Sequence, residues 1–266
     1  MTVSQLYDIL NERIPAALSC EWDNDGAMCI PLPDHEIKRV LLALDITEAV
    51  VDRAIAEDYD LIVSHHPLLF HGFKHMTVDD PVARRTIKLC RAGIAAFSFH
   101  TRLDALQGGV NDVLAERLGL TDVTPFGGDG IGRTGTLAAP MSAEDFAALV
   151  ADRLDAPAVT LADAGKPVAR VAVLGGGGGD FMLDALAAGA DAYVTGDAAH
   201  HHLVDAPERG ISLIVAGHYH TEYLVLEQLT AMLSELVPGA HILPISSHAV
   251  KTIINPRHIE SKGEKS

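Results

Sequence analysis

From Val40 to Pro67 the chain reads VLLALDITEAVVDRAIAEDYDLIVSHHP. Two short apolar runs, Val40–Leu44 and Leu61–Val63, bracket a helical pattern from Glu48 to about Glu57. Runs this short and apolar at every position are strands of a sheet covered on both faces. Thr47 stands before the helix as an N-cap, its hydroxyl available to the first free N–H groups. Strand, helix and strand in succession predict a largely parallel α/β sheet. The second strand runs into Ser64-His65-His66-Pro67, so this unit also delivers chemistry at its end.

The alternation continues on both sides. Upstream, MTVSQLYDILNERIP reads as an amphipathic helix. Downstream, a helix over Pro81–Ala92 leads to a strand over Ile94–Phe99 and a helix over Val110–Leu118. Pro125-Phe126-Gly127-Gly128-Asp129-Gly130 breaks the pattern and is expected to bound a lobe. Strands near Thr134–Ala138, Val168–Leu174, Ala192–Thr195 and Ile211–Ala216 then alternate with helices over Ser142–Leu154, Phe181–Ala188 and His200–Asp205. A long helix, Glu222–Leu236, and a strand, His241–Ile245, follow, and the polar tail Glu260–Ser266 is expected to be disordered.

The composition narrows the possible roles. The 266 residues are 48% hydrophobic and 21% charged, ample for a globular core. Lys+Arg 20 against Asp+Glu 36 leaves a formal charge of −16. That field opposes binding to nucleic acid or to anionic membranes, which needs clustered Lys and Arg. An anionic substrate would need a local attractor such as a bound metal. No run of about 18 apolar residues suggests a membrane span, and the first residues lack a signal-peptide pattern. Three cysteines without CxxC spacing, Cys20, Cys29 and Cys90, fit reduced thiols in a cytoplasmic protein.

Three clusters carry candidate metal ligands: His65-His66, His100 with Asp104, and His218-Tyr219-His220-Thr221-Glu222. Each follows an apolar run, and groups that bind ligands gather where parallel strands end. Neighbouring strand residues point to opposite faces, so His65 and His66 serve one site only where Pro67 ends the strand. His100 and Asp104, like His218 and Glu222, lie four apart and share a face if a helical turn follows the strand. Any one cluster taken singly reads better as polar strand ends, a hydrogen bond or a cap; three together point to a transition-metal site. Glu222 is the natural bridge, since one carboxylate spans ions about 3.5–4 Å apart. Asp104 would complete one coordination set, His100 is a ligand or a proton donor, and His220 points elsewhere or joins.

Other motifs are weaker. Gly175–Gly179 fails the dinucleotide fingerprint, with Asp180 where the third small residue belongs, and lacks the P-loop ending. A tight turn with exposed N–H groups is the plainer reading. His200-His201-His202 reads as a solvent-facing run, with His201 the one that would approach the site. His71 and Lys74 follow SHHP closely and would either meet substrate anions or lie in a surface loop.

SHHPLLF, HTRLDA, the strand ending TGD, and GHYHTE occur here in the order and at the separations of one family. The chain resembles the GTP cyclohydrolase I type 2 homologues, also called the Nif-three-like proteins, over nearly its whole length, including Glu21-Trp22-Asp23-Asn24. The resemblance implies an α/β fold of two interlinked lobes with largely parallel or mixed sheets, a di-metal site at strand C-terminal ends, and a hexameric ring. Matching motifs assigns metal-ligand roles to His65, His66, Asp104, His218 and Glu222, with His100 near the metals. For His218 and Glu222 to meet SHHP, residues 1–125 and 217–266 must form one metal-binding lobe around a second, 126–216. The chain lacks the long inserted domain of some relatives. It departs from the family pattern at Asp25, where an apolar residue is usual, at Arg102, usually small or polar, and at His220, commonly alanine.

The resulting expectation is a hydrolase with two divalent ions, zinc, iron or manganese, opening a C–N bond of a purine-type, GTP-like ring with release of formate. His100 or His201 would carry protons to the leaving nitrogen. The partners expected are a small-molecule substrate, with nucleotides among the candidates, and further copies of the chain, but neither nucleic acid nor membrane. The alternatives are a hydrolase of phosphoesters or of formyl or cyclic folate-like amides, and a non-enzymatic metal-binding adaptor.

Overall fold

The structure, a computed structural model, describes residues 1–246 and 250–253; the tail Glu260–Ser266 lies outside the described residues. The first part of the chain forms α1 (Val3–Arg13), β1 (Gly26–Cys29), β2 (Arg39–Ala43), α2 (Glu48–Ala56), β3 (Leu61–Ser64), α3 (Pro81–Ala92), β4 (Ala95–Ser98), α4 (Thr101–Ala105) and α5 (Val110–Arg117). The middle forms β5 (Thr121–Phe126), β6 (Gly132–Met141), α6 (Ala143–Arg153), β7 (Thr160–Ala162), β8 (Val168–Leu174), α7 (Met182–Ala187), β9 (Ala192–Thr195), α8 (His200–Arg209) and β10 (Ser212–Val215). The chain then returns through α9 (His218–Glu222) and α10 (Val225–Leu236) to β11 (His241–Pro244).

Two sheets result. One runs β1-β4-β3-β2-β11, with β11, β2, β3 and β4 parallel and β1 antiparallel on its edge. The other runs β5-β6-β8-β9-β10-β7, parallel through β8, β9 and β10 and antiparallel at both sides. Both are therefore mixed, with parallel centres where the apolar runs lie. The unread strands β1, β5 and β7 are edges without a buried apolar run. Five of the six residues of β5 are exposed, and it contains a proline, which edge strands tolerate. The Pro125–Gly130 break is a hairpin: Pro125 and Phe126 pair with Arg133 and Gly132, and Gly127 and Gly130 turn the chain at φ +84° and +66°. The second sheet accordingly begins at Thr121.

Packing follows the period of two along each strand. In β2, Val40 and Leu42 face a core with Leu6 and Leu10 of α1 and Leu229 and Leu233 of α10, while Leu41 and Ala43 face Val50, Val51 and Leu89 of α2 and α3. The second sheet is covered in the same way, by α5 and α6 on one face and α7 and α8 on the other. Helix α5 joins the two bodies, with Val110 in the first core and Val113 and Leu114 in the second. Leu224 and Val225 repeat that split at the head of α10. This stitching turns the C-terminal ends of both parallel centres toward each other.

Local signals hold where expected. Thr47 Oγ1 accepts from Val50 N at 3.3 Å. Asp80 caps α3 ahead of Pro81, and Gly93 closes it in the left-handed conformation. The expected helix from Glu222 is instead two, because the single turn α9 ends before α10 begins.

Candidate metal centre

Six side chains meet where the sheets face each other: His65 and His66 after β3, His100 and Asp104 after β4, and His218 and Glu222 on α9. Their ligand atoms fall into three groups, each within 4.8 Å: His65, His66 and His100; His66, His218 and Glu222; and His65, Asp104 and Glu222. The end of β3 is locked for this. Ser64 Oγ donates to His66 O at 2.8 Å and lies 2.8 Å from Ser98 Oγ, and His66 N donates to Leu44 O at 2.9 Å. The chain so leaves the strand between the two histidines, and both rings reach one cavity wall.

Every imidazole is held by Nδ1. His65 Nδ1 donates to Phe99 O at 3.0 Å, which fixes the proton on Nδ1, since a carbonyl only accepts. His66 Nδ1 donates to Asp45 Oδ1 at 2.8 Å, His100 Nδ1 to Asp23 Oδ1 at 2.8 Å, and His218 Nδ1 to Asp197 Oδ2 at 2.6 Å. A carboxylate or carbonyl behind each ring leaves the Nε2 lone pair facing inward, the arrangement that presents histidines to metal ions. His66 Nε2 and His218 Nε2 lie only 3.1 Å apart. Glu222 divides between them and His65: Oε2 is 3.0 Å from His66 Nε2 and 3.2 Å from His218 Nε2, while Oε1 is 3.6 Å from His65 Nε2. Asp104 Oδ1 is also 3.6 Å from His65 Nε2.

Three of these atoms are buried without an aligned hydrogen bond: His65 Nε2, Asp104 Oδ1 and Glu222 Oε2. An orphaned buried polar atom costs about 1–3 kcal/mol, so three gathered in one cluster fit bound cations better than any internal partner. Titration points the same way. Burial disfavours charge on His66, but Asp45 and Glu222 outweigh it and push its pKa up to about 10. Burial is likewise outweighed at His218, which Glu222 and Asp197 raise to about 9. Burial lifts Asp104 to about 7, whereas Glu222, despite burial, is held well below the usual range by His65, His218 and His66. Imidazolium protons compensate here for the negative charge that a divalent ion would neutralise.

Other candidates fall outside this convergence. His201 is exposed, its ring 4.0 Å from that of His202, and belongs to none of the three groups. It is the second residue of α8, where His200 and His201 are both exposed, and only Asp197 before the helix reaches the centre. His220 packs 5.5 Å from the Tyr219 ring and is also outside the groups. His71 lines a cavity of about 410 Å3 that includes Asp45 and His66, whereas Lys74 is exposed and outside that lining. The glycine run is no phosphate cradle: Gly175 N donates to Asn111, Gly176 N to Thr221, Gly178 N to Thr195 and Gly179 N to Asp197 O. Motif reading left the carboxylates behind the rings without a role, although Asp23 and Asp197 stood in EWDN and TGD and Asp45 directly followed an apolar run.

Fold and site together define a mixed α/β protein whose two sheets close on a histidine–carboxylate cluster able to hold a metal ion. The chain belongs to the Duf34/NIF3 (NGG1p interacting factor 3) family, whose profile matches residues 1–252. It is 38% identical over 224 residues to a GTP cyclohydrolase 1 type 2 homolog from Nostoc sp., covering 82% of this chain and 83% of that one. A protein of the same name from Streptomyces coelicolor is 34% identical over 266 residues, covering 96% and 93%. Among solved structures, a hypothetical protein from Staphylococcus aureus superimposes with a TM-score of 0.86 at 27% identity, covering 95% and 99%. The family expected from SHHPLLF, HTRLDA, TGD and GHYHTE is therefore borne out.

Proposed function

We propose that the cluster is a centre for two divalent cations in a hydrolase that opens a purine-type ring at one C–N bond. A second water then cleaves the other C–N bond of the same carbon, which is released as formate. The observation that carries the two-ion reading is the division of Glu222, with one oxygen toward His65 and the other toward His66 and His218. In this reading His65, Asp104 and Glu222 hold one ion, and His66, His218 and Glu222 the other. Histidine and carboxylate without thiolate suit zinc, iron or manganese. When bound, such ions lower the pKa of water toward about 7 and polarise the bond under attack. The chain itself positions and moves protons. Asp45 and Asp197 keep Nδ1 of His66 and His218 protonated, which orients Nε2. His100 sits beside His65 and His66 with ring centroids 5.3 and 5.7 Å away. Asp23 holds its Nδ1, leaving Nε2 to pass a proton to the leaving nitrogen. His201, exposed on α8, has no part in this reading.

Asp23 is well made for that task. It accepts from His100 Nδ1, from Thr101 N at 3.1 Å and from Thr101 Oγ1 at 2.6 Å. Burial opposes its ionisation, but His100 and Thr101 hold the carboxyl well below the usual range. Among the described residues no helix is long and apolar enough to cross a membrane. A cytoplasmic homo-oligomer, hexameric as expected from the family resemblance, completes the reading.

The test couples metal content to product. Metal-loaded protein should release formate from a guanine nucleotide, GMP or GTP, and Glu222→Gln should lose both metal and turnover. Release of phosphate alone, release of neither, or full activity in a metal-free Glu222→Gln protein would reject the reading.

A further inference from the structure

We infer that the cavity beside the centre takes a planar ring compound bearing a single oxyanion, with Arg85 as the anion-binding residue. This rests on the centre proposed above and goes further by specifying the charge of the substrate. The cavity, about 410 Å3, is walled by Asp45 and His66 on the side of the centre and by Phe70, His71 and Phe73 from the following loop. Phe70 and His71 lie edge-on to each other at 4.8 Å, and Phe70 is 40% exposed. Aromatic walls of this kind favour a flat ring over a flexible chain.

Arg85 is the only Lys or Arg in that lining. Its Nε donates to Pro81 O at 3.0 Å and its Nη1 to Ile46 O at 2.5 Å, which fixes the guanidinium on the residue after Asp45. No carboxylate pairs with it among the described residues. The contrast on the same helix is sharp. Arg84 pairs with Glu48, and Lys88 with Glu48 and Asp52, so their charges are neutralised. In a chain of formal charge −16, a fixed and unneutralised guanidinium in a cavity is a site for an anion. Asp45 and Asp80 line the same cavity. Asp45 is bonded to His66 and Asp80 to Val82 N and Ala83 N, so neither neutralises Arg85. Arg85 is left to one oxyanion, while both carboxylates repel the further charges of a triphosphate.

Calorimetric titration of the metal-loaded protein tests this, with metal content measured first. Protein that takes up no metal defeats the centre; protein that takes it up but lacks the pattern below defeats the anion site alone. GMP should bind at least about 10-fold tighter than guanosine, and GTP no tighter than GMP. Pterin-6-carboxylate should exceed pterin in the same way if a carboxylate serves as well as a phosphate. Arg85→Gln should erase these gaps and keep its metal, and Phe70→Ala should weaken every ring ligand about 10-fold. In the wild-type protein, inorganic phosphate should compete with GMP and leave guanosine binding unchanged. This arm holds even if Arg85→Gln does not fold. Gaps that persist in Arg85→Gln, phosphate that competes with both or neither, tighter binding of GTP, or no binding of any ring compound would overturn the inference.

Discussion

Replacing Arg102 by Met should destabilise the protein severely, and replacing Asp25 by Leu in the same chain should restore most of the loss. These positions are the two departures from the family pattern that touch each other. Arg102 Nε lies 2.9 Å from both Asp25 oxygens and Nη2 lies 2.6 Å from Oδ1, while Nη1 donates to Asn11 Oδ1 at 2.8 Å and Ile14 O at 3.0 Å. Both side chains are only 3% exposed. Removing one partner strands a buried charge, which costs about 3–5 kcal/mol, whereas replacing both by apolar groups is often near neutral. Ser19 Oγ and His100 N also reach Asp25, at 3.0 and 3.3 Å, too little to compensate a lost guanidinium. At about 2–4 °C per kcal/mol for a chain of this size, each single substitution should lower Tm by about 6–20 °C. Calorimetric and denaturant melts of wild type, both single variants and the double variant close the cycle, at fixed protein and metal concentration. A double variant as unstable as the sum of the singles would refute the compensation.

Three further outcomes are expected. Asp45→Asn keeps the size of the group behind His66 but loses its charge, and should weaken metal binding about 10–100-fold in competition with a chelator; unchanged affinity would show that Asp45 does not orient the ring. Gly176→Ala should abolish metal uptake, because a Cβ there would lie 2.0 Å from Glu222 Oε1 at a φ of +63°; normal metal content in the variant would contradict this. Cys90 is exposed, whereas Cys29, 3.4 Å away, is buried and pushed up to about 12 by burial and by Cys90. Iodoacetamide should therefore label Cys90 well before Cys29, and equal labelling rates by peptide mass spectrometry would contradict the difference.

The sequence was legible where burial imposes a period. The central strands β2, β3, β4, β8, β9 and β10 stand out because each carries an unbroken apolar run, with polar residues only at or near its ends. The edge strands β1, β5 and β7 escape for want of such a run: β5 presents Thr-Asp-Val-Thr-Pro, five exposed residues with no alternation to read. The ligands were legible for a different reason, since histidine at a strand end has few structural uses in common. What no spacing revealed was which partner stands behind each ring. His66 and Asp45 are 21 residues apart, and His100 and Asp23 are 77 apart, so their pairing depends on strand order alone. The Asp25–Arg102 pair shows the same limit. Read one at a time, the two departures stand in separate motifs; together they form one buried contact beside His100.

The glycine run and the histidine clusters, separate motifs in the sequence, are parts of one construction. Glu222 must bring both oxygens among three imidazoles, and its side chain crosses the end of β8 to do so. Only a residue without a side chain leaves room there, which explains Gly176, while Gly175 would press a Cβ within 3.2 Å of Glu222 Cγ. At Gly178 a Cβ would lie 2.3 Å from Leu174 Cδ2 and 2.5 Å from Tyr193 Oη, so the next turn is held against the core just as closely. With their N–H groups spent on Asn111, Thr221 and Thr195, these glycines give the loop thinness rather than donors. A phosphate-binding loop needs free N–H groups and a helix that opens on the ligand. This loop offers its N–H groups to the protein and its space to a carboxylate.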